Sequence, residues 1–332
     1  MRSLTRIVTA ATLLTAGLLL GGCGKDSREA EKVTFNMSWL PQGSMAGVIL
    51  AIDKGFYAEE GLVVEAVRGF GGIRTANELD QGMFQFGYAD PLAVILNRAN
   101  GGTARMIGAI SDRWPAGLCF IKERHKVESP ADLAGMVVGG GQNSPMQVLV
   151  PAWLEKNGVD KGKVTLMQLD PAVVVASLVE GKIDAGECWL GNSLPLFRRR
   201  AEEAGLSLGW LAYADFNLDI YGNGLISSDK VIKERPEQVR AFLKATYRGY
   251  AAALADPDAA VAVMLKHYPM LDPAITKQQL LETGALLKHQ ARAGWMEADR
   301  VAGTLDFLRG AYGLKADVKV GDVFTTDYLP QP

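Results

Sequence analysis

The chain has 332 residues, 35 basic against 37 acidic side chains, a formal charge of −2 at neutral pH and a hydrophobic content of 48%. That length suffices for two ordinary domains. Mild acidity without a long basic block leaves no electrostatic footprint for nucleic acid and no polybasic membrane patch, so no nucleic-acid partner is expected.

The first predicted element is an export signal. Arg2 and Arg6 precede an apolar run, Ile7 to Leu20, that breaks at Gly21-Gly22-Cys23. A charged start, an apolar stretch of about 7–15 residues and a small-residue exit describe a secretory signal rather than a spanning helix. Leu20-Gly21-Gly22-Cys23 also resembles a bacterial lipobox, in which Cys23 is lipidated and becomes the new N-terminus. The expectation is a lipoprotein signal over 1–22, a polar tether over 23–32, and an extracytoplasmic protein anchored to a membrane through Cys23.

Short apolar strands then alternate with helical stretches, the α/β pattern. Val33 to Trp39 reads as a strand, and Ser44 as the cap of a helix with Val48, Ile49, Ile52 and Phe56 at helical spacing. A strand over Leu62 to Val67, a glycine-rich turn, a helix over Arg74 to Gln81, a strand over Phe84 to Tyr88, a helix over Pro91 to Ala99 and a strand over Met106 to Ser111 follow. The scheme repeats with a strand over Met136 to Gly140 and a helix opened by Ser144-Pro145. Val164 to Leu169, a helix over Ala172 to Glu180 and a strand over Asp184 to Cys188 complete it, and beyond Pro236 the pattern is mostly helical. The layout divides as lobe one (33–115), lobe two (116–220) and a helical return to lobe one (221–332), with crossings within Asp112 to Phe120 and Tyr213 to Ile226.

Past Cys23 only Cys119 and Cys188 remain. An oxidising compartment permits a disulfide between them, while their apolar surroundings equally suit buried free thiols; both alternatives stay open. His125, His267 and His289 lie far apart, and no Cys/His/Asp spacing suits a metal site. No metal and no cofactor is expected.

Several segments carry a family resemblance. Trp39-Leu40-Pro41, Ala46-Gly47, Lys54-Gly55-Phe56-Tyr57 and Glu60-Gly61-Leu62-Val63-Val64 resemble the opening of solute-binding lipoproteins of ABC importers for nitrate, taurine, alkanesulfonates and thiamine-pyrimidine precursors. Phe86-Gly87-Tyr88-Ala89-Asp90, Asp170-Pro171-Ala172 with Gly181-Lys182-Ile183-Asp184-Ala185, and Tyr221-Gly222-Asn223-Gly224-Leu225-Ile226 match the same family in order. Gly294-Trp295-Met296 resembles a late segment of its pyrimidine-type members. The resemblance implies the type II periplasmic-binding-protein fold, an α/β fold of two lobes closing about a two-strand hinge. It also implies a small-molecule ligand, ABC permease subunits as partners and a monomer.

Ligands at open α/β sheets sit beyond the C-terminal ends of strands, near helix N-termini. That rule selects Asn36, Trp39 and Gln42 after the first strand, Tyr88 and Asp90 at the third, and Gln142, Asn143 and Ser144 after the first strand of lobe two. Glu187 and Trp189 end a later strand, and Phe216, Asp219 and Tyr221 lie near the second crossing. Each has a plainer alternative: core packing for Trp39, hinge packing for Phe216 and Tyr221, helix capping for Asp90 and Glu187. Ser144 after three glycines suits either a capped helix or an anion seat. Arg113 is the only basic side chain expected near the cleft, and the acids there disfavour an anion. Aromatic faces and carboxylates suit a planar nitrogen heterocycle, with taurine or an alkanesulfonate as runner-up. A pyrimidine-forming enzyme shares this fold, but its cysteine-rich motif has no counterpart here, so no catalytic residue is expected.

Overall fold

The computed structural model describes residues 30–142, 144–287 and 292–331. The segment read as an export signal, Cys23, Asn143 and His289 therefore lie outside the described residues. The chain first lays down β1 (Glu31–Asn36), α1 (Ala46–Asp53), α2 (Phe56–Glu59), β2 (Leu62–Val67), α3 (Gly72–Asp80), β3 (Phe86–Ala89), α4 (Pro91–Ala99) and β4 (Ala104–Ala109). It then crosses to β5 (Ala116–Ile121), β6 (Val137–Gly141), α5 (Met146–Lys156), β7 (Thr165–Leu169), α6 (Val174–Val179), β8 (Ala185–Trp189), α7 (Leu194–Glu203) and β9 (Leu208–Ala212). The return supplies β10 (Gly224–Ser228), α8 (Asp229–Glu234), α9 (Pro236–Ala255), α10 (Pro257–His267), α11 (Pro273–Leu287), α12 (Ala298–Tyr312) and α13 (Val320–Val323).

Two five-stranded sheets result, in the orders β2-β1-β3-β10-β4 and β7-β6-β8-β5-β9. Each has one antiparallel strand in fourth place, and in each it is the strand entered directly after a crossing: β10 in the first sheet, β5 in the second. The crossings are narrower than the sequence suggests, spanning 110–115 and 213–223, because β5 and β10 join their sheets fully. Backbone bonds tie the two crossings together. The N–H groups of Ile110 and Ser111 donate to the Asn223 carbonyl at 3.0 and 2.8 Å, and the Gly222 N–H donates to the Ser111 carbonyl at 3.2 Å. A Cβ on Gly222 would lie 2.5 Å from the Arg113 carbonyl oxygen, so this approach needs glycine.

Local chemistry explains the elements that frame the cleft. Asp90 caps α4, its Oδ1 accepting the Ala93 N–H at 2.9 Å, and Pro91 occupies the first turn, where no N–H is needed. At α5, Pro145 is already helical and Ser144 Oγ accepts the Met146 N–H at 3.1 Å, so Ser144 supplies the cap. Ser44 does not cap α1. The chain enters that helix through a 3₁₀ turn, Gly43–Met45, and the Ser44 carbonyl accepts the Tyr250 hydroxyl instead.

One apolar core lies between the first sheet and α1 and α9, where Phe242 stacks on Phe86 at 3.9 Å. A second runs through both lobes, joined by the buried stripe Val301, Leu305 and Leu308 of α12. On the opposite side α11 spans the lobes: Gln279 accepts the Gly43 N–H and donates to the Asn192 carbonyl, both at 2.8 Å.

Cys119 of β5 and Cys188 of β8 form a disulfide between neighbouring strands, with Cα atoms 6.0 Å apart. The alternative of free thiols falls because these antiparallel strands bring the two residues within bonding reach. The bridge closes a long loop, so replacing both cysteines with alanine should cost about 2–4 kcal/mol. Denaturant melts of the variant, and of the parent with and without reductant, measure this; unchanged midpoints would mean that the bond contributes nothing.

Candidate functional site

The parallel strands of each sheet end at one edge, and most of the expected site residues follow those ends. In lobe one, β1 gives way to Trp39 and the adjacent β3 to Asp90. In lobe two, β6 leads to Ser144, and β8 carries Glu187 and Trp189.

Glu187 is the centre of the lobe-two half. It is 7% exposed, Ser144 Oγ donates a short hydrogen bond to its Oε2, and the Trp189 indole donates to it as well. Burial pushes its carboxyl from the ordinary 4.5 up to about 7, against the smaller pull of those two donors. Asp90 behaves alike in lobe one: burial raises it from 3.8 to about 6, opposed by the Ala93 and Leu92 N–H groups. Among the described residues, no cation acts on either acid. Arg113 is engaged with Asp215 at 2.8 Å.

Aromatic side chains enclose these acids. Tyr88 is buried, and its hydroxyl meets the side chains of Ser111 and Asn223, the residues that tie the crossings. Trp114, from the first crossing, packs on Trp189 with ring centroids 5.4 Å apart. Tyr213 follows β9 and feels the charge of Glu187, and Tyr312 ends α12 and feels both Asp90 and Glu187. Trp114 and Tyr213 are each 1% exposed, yet the Trp114 Nε1 and the Tyr213 hydroxyl find no hydrogen-bond partner among the described residues. The Tyr213 hydroxyl near Glu187 and the Trp114 indole against Trp189 are thus buried donors left unpaired.

The remaining expected site residues divide. Trp39 is 42% exposed, which excludes the core reading and leaves its ring at the surface. Gln42 is half-buried and donates to Ser44 Oγ at 3.0 Å, and Gln142 is exposed just past β6. Four of the expected residues are engaged by partners within the chain. Asn36 is buried inside lobe one, donating to Glu78 at 2.7 Å and accepting from the Ser38 N–H at 2.8 Å and Thr75 Oγ1 at 3.2 Å. It pins Ser38 at φ 66°, the turn that presents Trp39. Phe216 uses its carbonyl to accept the Trp153 indole at 2.7 Å and the Asn157 amide at 3.0 Å, while its ring packs on the core. Asp219 is an exposed partner of Arg300 at 2.6 Å. Tyr221 is buried under the Arg300 guanidinium, 4.3 Å from its ring centre, and its hydroxyl accepts the Glu297 N–H at 2.9 Å. Both residues hold the start of α12 to the second crossing. Sequence reasoning missed Trp114, Tyr213 and Tyr312; the signal for Tyr312 was present, four residues past Leu308 on the apolar stripe of α12.

Residues 42–260 match the family described as NMT1/THI5 like. The chain belongs to this family. Among curated relatives, the riboflavin-binding protein RibY of Chloroflexus aurantiacus is 28% identical over 312 residues, covering 90% of this chain and 86% of its own. The formylaminopyrimidine-binding protein of Halalkalibacterium halodurans is 27% identical over 266 residues, covering 76% and 77%. Among solved structures, the periplasmic aliphatic sulphonate binding protein SsuA from Escherichia coli superposes with a TM-score of 0.69 at 16% identity, covering 88% of this chain and 96% of that one. The architecture is thus the two-lobed periplasmic-binding-protein fold expected from the sequence.

The raised carboxyl of Glu187 has a consequence for stability. In the folded NMT1/THI5-like chain it binds a proton up to about pH 7, whereas unfolded it releases it near 4.5. Stability should therefore be fully present below pH 4.5 and decline as pH rises to about 7. Glu187→Gln removes the charge and keeps the acceptor for Ser144. It should flatten that part of the profile and gain on the order of 2–3 kcal/mol over the parent at alkaline pH. Urea melts across pH test this; parallel profiles would show that Glu187 is ordinarily solvated.

Proposed function

We propose that this protein is an extracytoplasmic solute-binding lipoprotein of an ABC importer, capturing a small planar nitrogen heterocycle between its lobes. The observation that carries the ligand class is the pair of desolvated acids, half-buried Asp90 and buried Glu187, beside aromatic rings and, among the described residues, with no cation acting on either. Carboxylates accept hydrogen bonds from ring and exocyclic N–H groups, and the unpaired donors on Tyr213 and Trp114 suit a ring nitrogen or carbonyl. The binding proteins for riboflavin and formylaminopyrimidine among the relatives support the same class.

A sulfonate is the second reading, supported by the SsuA likeness in fold. It is disfavoured because the helix start at α5, the natural anion seat, is occupied by the Glu187 carboxyl bonded to Ser144.

The mechanism follows from two bodies, 33–115 with 221–332 and 116–220, joined by the paired crossings. A ligand that touches both lobes only when they are closed shifts the equilibrium by its differential affinity, and a permease reads the closed shape. Cys23 serves as the lipid anchor and the chain acts as a monomer without catalytic residues. A surface sensor using the same cleft differs only in its receptor.

Thermal-shift screening of the full chain with pyrimidines, riboflavin and alkanesulfonates tests the ligand class. A bound heterocycle at a hundredfold excess over Kd should add about 2.7 kcal/mol to apparent stability. Stabilisation by sulfonates alone would reverse the assignment.

Trp39 is proposed to stack on the captured ring from the rim. Because it is 42% exposed, Trp39→Ala should leave the empty protein's melting temperature nearly unchanged. Affinity should fall by roughly 2–4 kcal/mol, with partial recovery in Trp39→Phe. Unaltered affinity with an intact fold removes Trp39 from the site.

A further inference from the structure

Helix α11 carries a buried polar stripe. Thr276, Gln279, Glu282 and Thr283 recur at helical spacing, and all four are buried. The helix is rooted in lobe one, where Leu280 joins the core and Leu254 presses on Gly284. Its polar stripe meets a turn of each lobe. In lobe one, Gln279 Oε1 accepts the Gly43 N–H at 2.8 Å, and a Cβ on Gly43 would stand 2.0 Å from the Thr276 carbonyl oxygen. In lobe two, Gln279 Nε2 donates to the Asn192 carbonyl at 2.8 Å and Glu282 Oε2 accepts the Gly191 N–H at 2.9 Å. Gly191 holds φ 70°, and a Cβ on it would lie 2.5 Å from Thr283 Oγ1. Arg198 of α7 adds an ion pair to Glu282 at 3.3 Å, and Arg199 one to Asp272 just before the helix.

Both turns follow parallel strands, Gly43 after β1 and Asn192 after β8. The lobe-two turn also fixes Trp189. The Asn192 N–H donates to the Trp189 carbonyl at 3.1 Å, and the Trp189 N–H donates to Ser193 Oγ at 3.0 Å. Exposing an apolar contact to water is costly in proportion to its area. Amide, carboxylate and peptide groups that part from one another bond to water instead, so the net loss is small. The α12 stripe of Val301, Leu305 and Leu308 is of the first kind, and the α11 stripe is of the second.

We infer that α11 is a separable latch between the lobes, with Gln279 and Glu282 as positioning residues that grip the Gly43 and Gly191–Asn192 turns when the lobes close and release them together when they part. This rests on the solute-binding reading above. The bonds lie beyond the C-terminal ends of β1 and β8, the side on which a ligand is expected, so making them favours the closed arrangement. The latch therefore sets how tightly any ligand is held and leaves the choice of ligand to other residues.

Hydrogen exchange of the full chain, read at the Gly43 and Gly191 amides, tests the latch without a ligand. Both should exchange at least about a hundredfold faster than the β5 and β8 amides, which open only with the whole lobe. Gln279→Met keeps the length of the side chain and removes its bonds. It should speed Gly191 as well as Gly43, although Glu282 holds Gly191, because one event frees both. An unmoved Gly191 in this variant, or both amides as slow as β5, overturns the inference.

Isothermal titration with riboflavin, 4-amino-5-hydroxymethyl-2-methylpyrimidine and taurine reads the effect on capture. Gln279→Met and Glu282→Leu should each weaken whichever probe binds by about tenfold, with the same factor for every probe. Glu282→Gln keeps an oxygen for the Gly191 N–H and should stay within about threefold of the parent. A merely structural contact would lower the melting temperature and leave affinity in place, which overturns the inference while the solute-binding reading stands. Should Glu282→Leu fail to fold, Gln279→Met decides alone. Should no probe bind, the solute-binding reading falls for these ligands, and the exchange rates still judge the latch.

Discussion

The backbone bonds from Ile110 and Ser111 to Asn223, and from Gly222 back to Ser111, are the constraint on which the rest depends. They are the joint between the lobes, and they also reach the cleft: the side chains of the same Ser111 and Asn223 hold the Tyr88 hydroxyl, two residues from Asp90. Rotation at the joint and the position of the lobe-one acid are therefore one mechanical problem. Gly222 sits at its tightest point, where any side chain would push the crossings apart.

Two helices of the C-terminal part work around that joint. On one side α12 fills the space between the lobes with an apolar stripe, its start fixed by Arg300 on Asp219 and Tyr221. On the other, α11 reads both lobes through polar groups: Gln279 bridges Gly43 and Asn192, and Glu282 accepts the Gly191 N–H at 2.9 Å. Apolar contact tolerates small sliding, whereas these directional bonds do not. The contact on the α12 side is thus the more yielding of the two, and that on the α11 side the more directional.

Much of the fold was legible because local signals agreed with it. The strand over Leu62–Val67 and the helix over Pro91–Ala99 have the expected bounds, since alternation, a capping aspartate and a first-turn proline all point one way. The site was less legible because its members were chosen by position in the chain, while their partners lie far away. Asn36 looks free at a strand end until Glu78 and Thr75 claim its amide. Asp219 and Tyr221 look poised at the crossing until Arg300 arrives from 80 residues later. Tyr312 comes from farther still, at the end of α12. Glu187 and Asp90 were recognised as candidates, but their desolvation depends on burial that no spacing reveals.

The late arrival of β10 in the first sheet has a consequence for how the chain folds as it emerges. The second sheet is drawn wholly from 116–212, so it and its disulfide can form as one continuous unit. The first sheet cannot: between β3 and β4 it lacks β10 until residue 228 has appeared, and its α1 face stays uncovered until α9 follows. During that interval lobe one presents two unfinished strand edges and an open apolar surface, a state prone to wrong pairing. The later half of the chain thus completes a lobe begun by the first, and the middle lobe is the natural scaffold on which it does so.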